Sequence, residues 1–366
     1  MLSPKSRRNI IRIIPFAISW LIFGGIYTIL ERGLLGELNY YPITGNSYIF
    51  KNNAIVIPSF ALLAGIVNGI LEIFYFSKWF INERFTRKIA YKFLIYLLII
   101  SSFLVIILVF TANNIPATII RKDFWLGILA FFTNYSFLGV LLYIASVILI
   151  TQFFTEVIES VGTNKLSNFF LGKYYEPVEE ERIFMFLDMK SSTEIAEKLG
   201  HLRYFEMLKD YFADLSESVI KYWGEIYQYA GDEMIISWKL QKGLEHNNCI
   251  SCFFAMKDAL SKQKEKYEEK FGLMPLFKAG LHYGKVTTGE IGFLKKEIIF
   301  TGDVLNTSAR IEALCNHFNV DILVSKVLIA KLHLDPLFKV QFIGANTLRG
   351  KNEQIELFTI NRSYDS

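Results

Sequence analysis

Two short strings each end a hydrophobic run on an aspartate: FLDMKSST at Phe186–Thr193 and YQYAGDE at Tyr227–Glu233. Asp188 and Asp232 are carboxylates beside small hydroxyl residues and glycine. Carboxylates give Mg²⁺ hard oxygen ligands, and small residues let backbone N–H groups approach phosphate oxygens. The pair therefore points to a metal site that works on a phosphate. Further on, TGDVLNTSARIE at Thr301–Glu312 carries Asn306 and Arg310. Four residues apart, they share one face of a helix.

The elements that must position these groups follow from the pattern of residues 182–360. RIFMFLD (182–188) reads as a short buried strand, and 192–222 as helix broken near Gly200. Strands at 225–230 and 233–239 flank Gly231-Asp232, a two-residue hairpin turn. A helix with charges on its outer face is expected over 246–271, then FKAGLHYG and KVTTGEIG as two strands. A helix at 303–317, a short strand at 321–324 and a closing pair at 337–345 and 354–360 complete the domain. The order predicts an α+β fold with a ferredoxin-like β-α-β-β-α-β core and helices on one face. In that topology the end of the first strand lies beside the hairpin, within metal-bridging reach of Asp232.

The first half is of a different kind. The chain has 366 residues, 52% of them hydrophobic, and a mean hydropathy of +0.32. Uncharged or nearly uncharged runs predict four transmembrane helices near 12–30, 54–76, 93–112 and 125–152; each is long enough for a hydrocarbon core, which takes roughly 20 apolar residues. The first run is too long, and lacks a small-x-small site, for a cleavable signal. Lys5, Arg7, Arg8 and Arg12 precede the first helix, and Lys78, Arg84, Arg87, Lys88 and Lys92 fill the second loop. The positive-inside rule then puts both termini, and the domain that follows, in the cytoplasm. Glu72 is expected at the cytoplasmic end of the second helix, its carboxylate snorkelling to the headgroups. The domains read as 1–153, a four-helix transmembrane region; 154–181, a linker of helical character; and 182–366, a catalytic domain. The net charge of +4 is modest, and no basic block with interleaved aromatics points to nucleic acid. Cys249 and Cys252 lack a second ligand pair for zinc and read as core.

From about 165 to 360 the chain resembles the catalytic domain of class III nucleotidyl cyclases. The resemblance rests on FLDMKSST, YQYAGDE, TGDVLNTSARIE and LRGKNEQIELF (Leu348–Phe358), in the family's order. It implies attack of a ribose 3′-OH on the α-phosphate of a nucleoside triphosphate, with loss of pyrophosphate. Two divalent ions (Mg²⁺ or Mn²⁺) about 4 Å apart would serve this step, held by Asp188, Asp232 and the Met189 carbonyl. Ser191, Ser192 and Thr193 would receive the triphosphate at a helix N-terminus. Asn306 would orient the ribose and Arg310 would neutralise charge on the α-phosphate. Lys351 would hold the terminal phosphates, and Lys278 stands where the family often has a further phosphate-binding arginine. The resemblance also implies a homodimer in which one chain binds the metals and the other supplies Asn306 and Arg310.

Base recognition departs from the family pattern. Four residues before Asp232, adenylyl cyclases usually have lysine and guanylyl cyclases glutamate; here the residue is Gln228. The second base-reading position is Ile299, which has no side-chain hydrogen bond to offer, and Thr301 would take its role if the register slips. A glutamine amide can donate to adenine N1 and accept from the exocyclic amine. The reading favours ATP, with GTP or another base as the alternative.

Overall fold

The computed structural model describes residues 3–41, 47–80, 83–111, 126, 132–162, 168, 172–348 and 354–363. The chain divides into two compact units, one Ser6–Ser167 and the other containing Asn168–Ser366.

The first unit is helical. Helix α1 is Pro4–Leu35 and α2 is Phe50–Leu71, continued by a π-helical turn Glu72–Phe76. Helix α3 is Phe85–Thr111 and α4 is Tyr135–Val161. Among the described residues three helical stretches are long and apolar enough to cross a bilayer: Pro4–Leu35, Phe50–Phe76 and Phe137–Ile158. Most of 112–131, where the third expected span ends and the fourth begins, lies outside the described residues. The helices overrun the apolar runs because hydropathy marks only the stretch in hydrocarbon, while backbone hydrogen bonding continues past it. Helices α1 and α2 pack through small residues, as helices in lipid do. A Cβ on Gly24 would sit 2.6 Å from Ala61 Cβ, and one on Gly65 would sit 2.7 Å from the Phe16 carbonyl oxygen.

Glu72 does not snorkel. It is fully buried at the start of the π-turn and ion-pairs with Lys92 of α3, which is also fully buried. Lys92 Nζ lies 2.6 Å from Glu156 Oε1 of α4, and Lys88 Nζ lies 3.0 Å from Glu156 Oε2. Tyr96 and Gln152 donate to the second Glu72 oxygen. Lys88 and Lys92, read above as loop cations, are therefore helix residues committed to a buried network. A carboxylate on the inward side of a bundle is satisfied by partners, since headgroups lie out of its reach.

The second unit is built on an eight-stranded sheet in the order β2-β3-β1-β4-β6-β8-β7, with β5 paired to β4. The strands are β1 Val178–Met189, β2 Glu225–Ala230, β3 Glu233–Lys239, β4 Phe277–Ile291, β5 Glu297–Thr301, β6 Ile322–Ser325, β7 Phe338–Thr347 and β8 Gln354–Arg362. Helices α5 (Ser192–Leu199) and α6 (His201–Lys221) follow β1, α7 (Asn248–Lys262) and α8 (Lys264–Phe271) follow β3, and α9 is Asp303–Phe318. The fold is mixed α+β.

Helices cover both faces of the sheet, not one. Along β1, Ile183, Met185 and Leu187 point into a core shared with α6, α7 and α8. Phe184 and Phe186 point the other way, to a core that includes Val304 of α9. Side chains alternate along a strand, so an unbroken apolar run such as IFMFL signals burial on both sides. FKAGLHYG and KVTTGEIG form one strand rather than two, because Gly284 continues the pairing with β1 opposite Arg182. Strand β1 also starts earlier than expected: Glu179–Glu181 pair with Lys285–Thr287 of β4. Tyr174 accepts a backbone bond from Glu290, so this stretch belongs to the sheet rather than to a linker. Cys249 and Cys252 are fully buried core residues.

Candidate active site

Strand register assembles the metal candidates. Strand β1 pairs with β3 through Leu187↔Met234, which sets Asp188 at the mouth of the β2–β3 hairpin. The hairpin closes on Gly231-Asp232 between the paired Ala230 and Glu233. Gly231 has φ +68, a conformation glycine adopts without a Cβ penalty. The Asp232 carboxylate lies close enough to Asp188 for its charge to be felt there. On its other side β1 pairs with β4, and Asp188 stands directly opposite Lys278. Lys278 is 5% exposed. Its Nζ lies 3.1 Å from Asp188 Oδ2 and 2.6 Å from Glu312 Oε1.

Charge is crowded here. Burial raises the Asp188 pKa above the usual carboxylate range, against the pull of Lys278 and with a further push from Asp232. Burial raises Glu312 as well, again opposed by Lys278. Glu233 is pushed up to about 7, first by burial and then by Glu312, Asp188 and Asp232. Lys278 is held above its ordinary value because its two carboxylate partners outweigh its burial.

Ser191 occupies the N-cap of α5 with φ +53, and Ser192 and Thr193 open the helix. The Tyr204 hydroxyl of α6 is pushed up to about 12 by burial and by Asp232, with Ser192 pulling the other way. The Met189 side chain is buried in the main core. On α9, Val304, Thr307, Ser308, Ile311, Glu312 and Cys315 face inward. Asn306 is exposed and Arg310 half-buried on the other side. Neither has a hydrogen-bond or ion-pair partner in the chain among the described residues. Lys351 lies outside the described residues.

Strands β2 and β5 meet through Tyr227 and Phe300. Their ring centroids are 4.8 Å apart, and the Tyr227 hydroxyl accepts the Phe300 N–H at 3.4 Å. Gln228 and Ile299 are the sequence neighbours of these two rings. Gln228 is exposed and follows a register shift between Ile226 and Gln228. Ile299 is half-buried opposite Gly289. Thr301 pairs with Thr287, and its hydroxyl donates to the Thr287 carbonyl. Arg182, 2% exposed, braces the corner. It binds Glu180 at 2.7 Å and Glu225 at 3.0 Å and lies 4.5 Å over the Phe300 ring.

Sequence reasoning missed Glu312, Glu233 and Tyr204. Glu312 carried a signal: it falls among Ser308, Ile311 and Cys315, so it is an acid on the apolar side of its helix. For divalent ions the donor set fits in chemistry. It offers two acceptor-only carboxylates close enough for the charge of one to be felt at the other, in a region where, among the described residues, carboxylates outnumber cations. No cluster of three or more His, Cys, Asp or Glu poised around one metal position occurs among the described residues. Remaining ligands would have to come from backbone and substrate oxygens.

Paired carboxylates at strand ends, a buried lysine between them and α9, and an outward Asn/Arg pair are thus set on one mixed α+β domain. Residues 174–362, just over half of the chain, match the adenylate and guanylate cyclase catalytic domain, and the chain belongs to that family. It is 31% identical over 208 residues to adenylate cyclase 2 of Rhizobium meliloti (strain 1021), covering 57% of each chain. It is 25% identical over 183 residues to an adenylate cyclase of Anabaena cylindrica, covering 48% of this chain and 36% of the relative. The matches thus span little more than half the length of these relatives, or less. Two solved structures of bacterial light-regulated adenylyl cyclases superpose with TM-scores of 0.52 and 0.51 at 22% and 23% identity. They cover 64% and 60% of this chain and 69% and 64% of theirs, a likeness of fold.

Proposed function

We propose that the chain is a membrane-anchored nucleotidyl cyclase that converts ATP to its 3′,5′-cyclic monophosphate and pyrophosphate at a homodimer interface. The observation that carries this reading is the division of the site. Asp188, Asp232 and Lys278 converge in one place, while Asn306 and Arg310 point outward from α9 without a partner among the described residues. A second copy would complete the set.

Asp188 and Asp232, with the Met189 carbonyl, would hold divalent ions. When bound, these ions lower the pKa of the attacking hydroxyl and stabilise the leaving oxygens. Lys278 reaches the phosphates from β4. Ser191, Ser192 and Thr193 present backbone N–H groups at the start of α5. Arg310 of one chain meets the charge that grows on the α-phosphate bound by the other, and Asn306 of the same chain fixes the ribose. Lys351 takes the terminal phosphates. We read strands β1 to β4 with their helices as the ferredoxin-like core, extended by the later strands. We read α1 to α4 as four spans with both termini cytoplasmic, the stretch from 154 to about 173 as the transducing connection, and the residues from 174 on, where the sheet and the family match begin, as the catalytic domain.

Guanylyl cyclase activity is the second reading. It is favoured by Ile299, which leaves Gln228 as the polar side chain at the two base-reading positions. The test is incubation of the detergent-purified full chain with Mn²⁺ and each of ATP, GTP, CTP and UTP, with cyclic products resolved by mass spectrometry. A dominant cAMP product is expected. A non-catalytic nucleotide-binding receptor would give no cyclic product from any of the four, and that result would remove the cyclase reading.

A further inference from the structure

Glu312 stands at a junction of three elements. Its carboxylate is 2.6 Å from Lys278 Nζ on β4, and the same ammonium is 3.1 Å from Asp188 Oδ2 at the end of β1. Glu312 is 8% exposed. The helix that carries it is seated on β4 backbone to backbone. A Cβ on Gly280 would lie 2.2 Å from the Glu312 amide nitrogen and 2.7 Å from the Ser308 carbonyl oxygen. The position of Glu312 relative to Lys278 is therefore set by a contact with little slack. Two residues earlier, on the opposite side of the same helix, Arg310 faces outward.

We propose that Glu312 is a positioning residue for Lys278, so that α9 serves two composite sites at once. Its outer face serves the partner's nucleotide, and its inner face aims the phosphate-binding lysine of its own chain. The proposal rests on the shared-site cyclase reading above. The physical case concerns where the ammonium goes. Lysine is a flexible point charge with three donors and no planar fork to fix its direction. With Asp188 as its only acidic partner it collapses onto that carboxylate, competing with divalent ions and withdrawing from the phosphates. Glu312 draws it to the other side at the shorter distance and leaves Asp188 oxygen capacity for metal. Glutamine at 312 keeps the shape but loses the charge that holds the ammonium back.

The test uses full-length chains mixed in pairs. An Asp188→Ala chain contributes a working α9 only, and an Arg310→Ala chain a working metal half only, so their heterodimer has one complete site. Glu312→Gln on the Arg310→Ala chain should raise the KM for nucleotide about 10- to 100-fold, as expected for losing one hydrogen bond to a charged group. The same change on the Asp188→Ala chain should raise KM far less. Equal effects in the two placements would overturn the proposal, because a merely structural role is blind to which half is intact. Glu312→Asp, which keeps the charge, should recover most of the loss; no recovery counts against it. Independently of turnover, Mn²⁺ titration of the nucleotide-free single-chain Glu312→Gln variant by electron paramagnetic resonance should show weaker binding than wild type. Unchanged Mn²⁺ affinity would refute the competition at Asp188. Absence of activity in wild type would instead refute the cyclase reading and leave the Mn²⁺ result to decide on Glu312.

Discussion

Gly280→Ala is the smallest change that separates α9 from the sheet. The added Cβ would sit 2.2 Å from the Glu312 amide nitrogen, 2.6 Å from Glu312 Cα and 2.7 Å from the Ser308 carbonyl oxygen. All three are backbone atoms, so no side-chain rotation relieves the clash. Ordinary contact starts at 3.4 Å, so the helix must move off β4 by at least about 1.2 Å. Overpacking of this kind costs about 1–3 kcal/mol of stability. Asn306 and Arg310 travel with the helix, and a displacement of about 1 Å at a reacting group costs on the order of 100-fold in rate. The assay is kcat and KM with Mn²⁺-nucleotide, beside the denaturant midpoint of the same preparation. Gly284→Ala is the control: its Cβ would meet only the Val304 side chain, at 3.2 and 3.3 Å, which can shift. Gly280→Ala should lose both stability and kcat, and Gly284→Ala much less of either. Equal behaviour of the two variants, or wild-type kcat in Gly280→Ala, would refute the claim that the β4–α9 contact sets the catalytic geometry.

Gln228→Lys should move the ratio of cAMP to cGMP formed from equimolar ATP and GTP towards cAMP, by about tenfold for one hydrogen bond gained to a charged group; an unchanged ratio would place base reading elsewhere. Glu233 gives a pH prediction. Its folded pKa of about 7 lies above the ordinary 4.5, so the folded chain binds the extra proton between those values. The associated stability is present below pH 4.5 and is lost as pH rises through about 7. Glu233→Gln should remove that slope, at most about 3 kcal/mol, in denaturant titrations with EDTA; a variant with the wild-type slope would contradict it. In the helical unit, Lys92→Met leaves Glu72 and Glu156 buried without their shared cation, and loss of about 3–5 kcal/mol is expected. Thermal unfolding of the detergent-solubilised chain reads this, and a melting temperature within a degree of wild type would argue against the network.

Local chemistry in this chain was open to sequence reading, and coupling between distant segments was not. The hairpin turn at Gly231-Asp232, the break at Gly200 and the Asn306/Arg310 face follow from turn residues and helical spacing, which act over a few positions. The meeting of Asp188 with Lys278 depends on the β1–β4 register, ninety residues apart in sequence, and no local rule supplies it. Glu312 was overlooked because a buried acid reads as an error of pattern until its partner on another strand is known. The Glu72 network escaped for the same reason: Lys92, read as a loop cation, and Glu156, inside the expected linker, are distant from it in sequence. The continuous apolar run of β1 did hold the information that both faces of the sheet are covered.

The charge count at the site has a direction. Burial and neighbouring carboxylates, Asp232 among them, raise the pKa values of Asp188, Glu233 and Glu312, and Lys278 opposes them. Four carboxylates against one ammonium, counted among the described residues, is an unfavourable arrangement for a folded protein, and the raised pKa values of Asp188, Glu233 and Glu312 express that cost. Such a surplus would be a poor way to stabilise a sheet edge, where two neutral side chains would pack at lower cost. It is a good way to attract added positive charge, since each proton the cluster retains can be displaced by a divalent ion that two carboxylates share. Lys278 cannot discharge the cluster alone, because its ammonium is divided between Asp188 and Glu312. The electrostatic strain therefore favours the divalent ions proposed above for this site. It also predicts that weakening the surplus at Glu312 or Glu233, neither of them a proposed metal ligand, will change metal affinity.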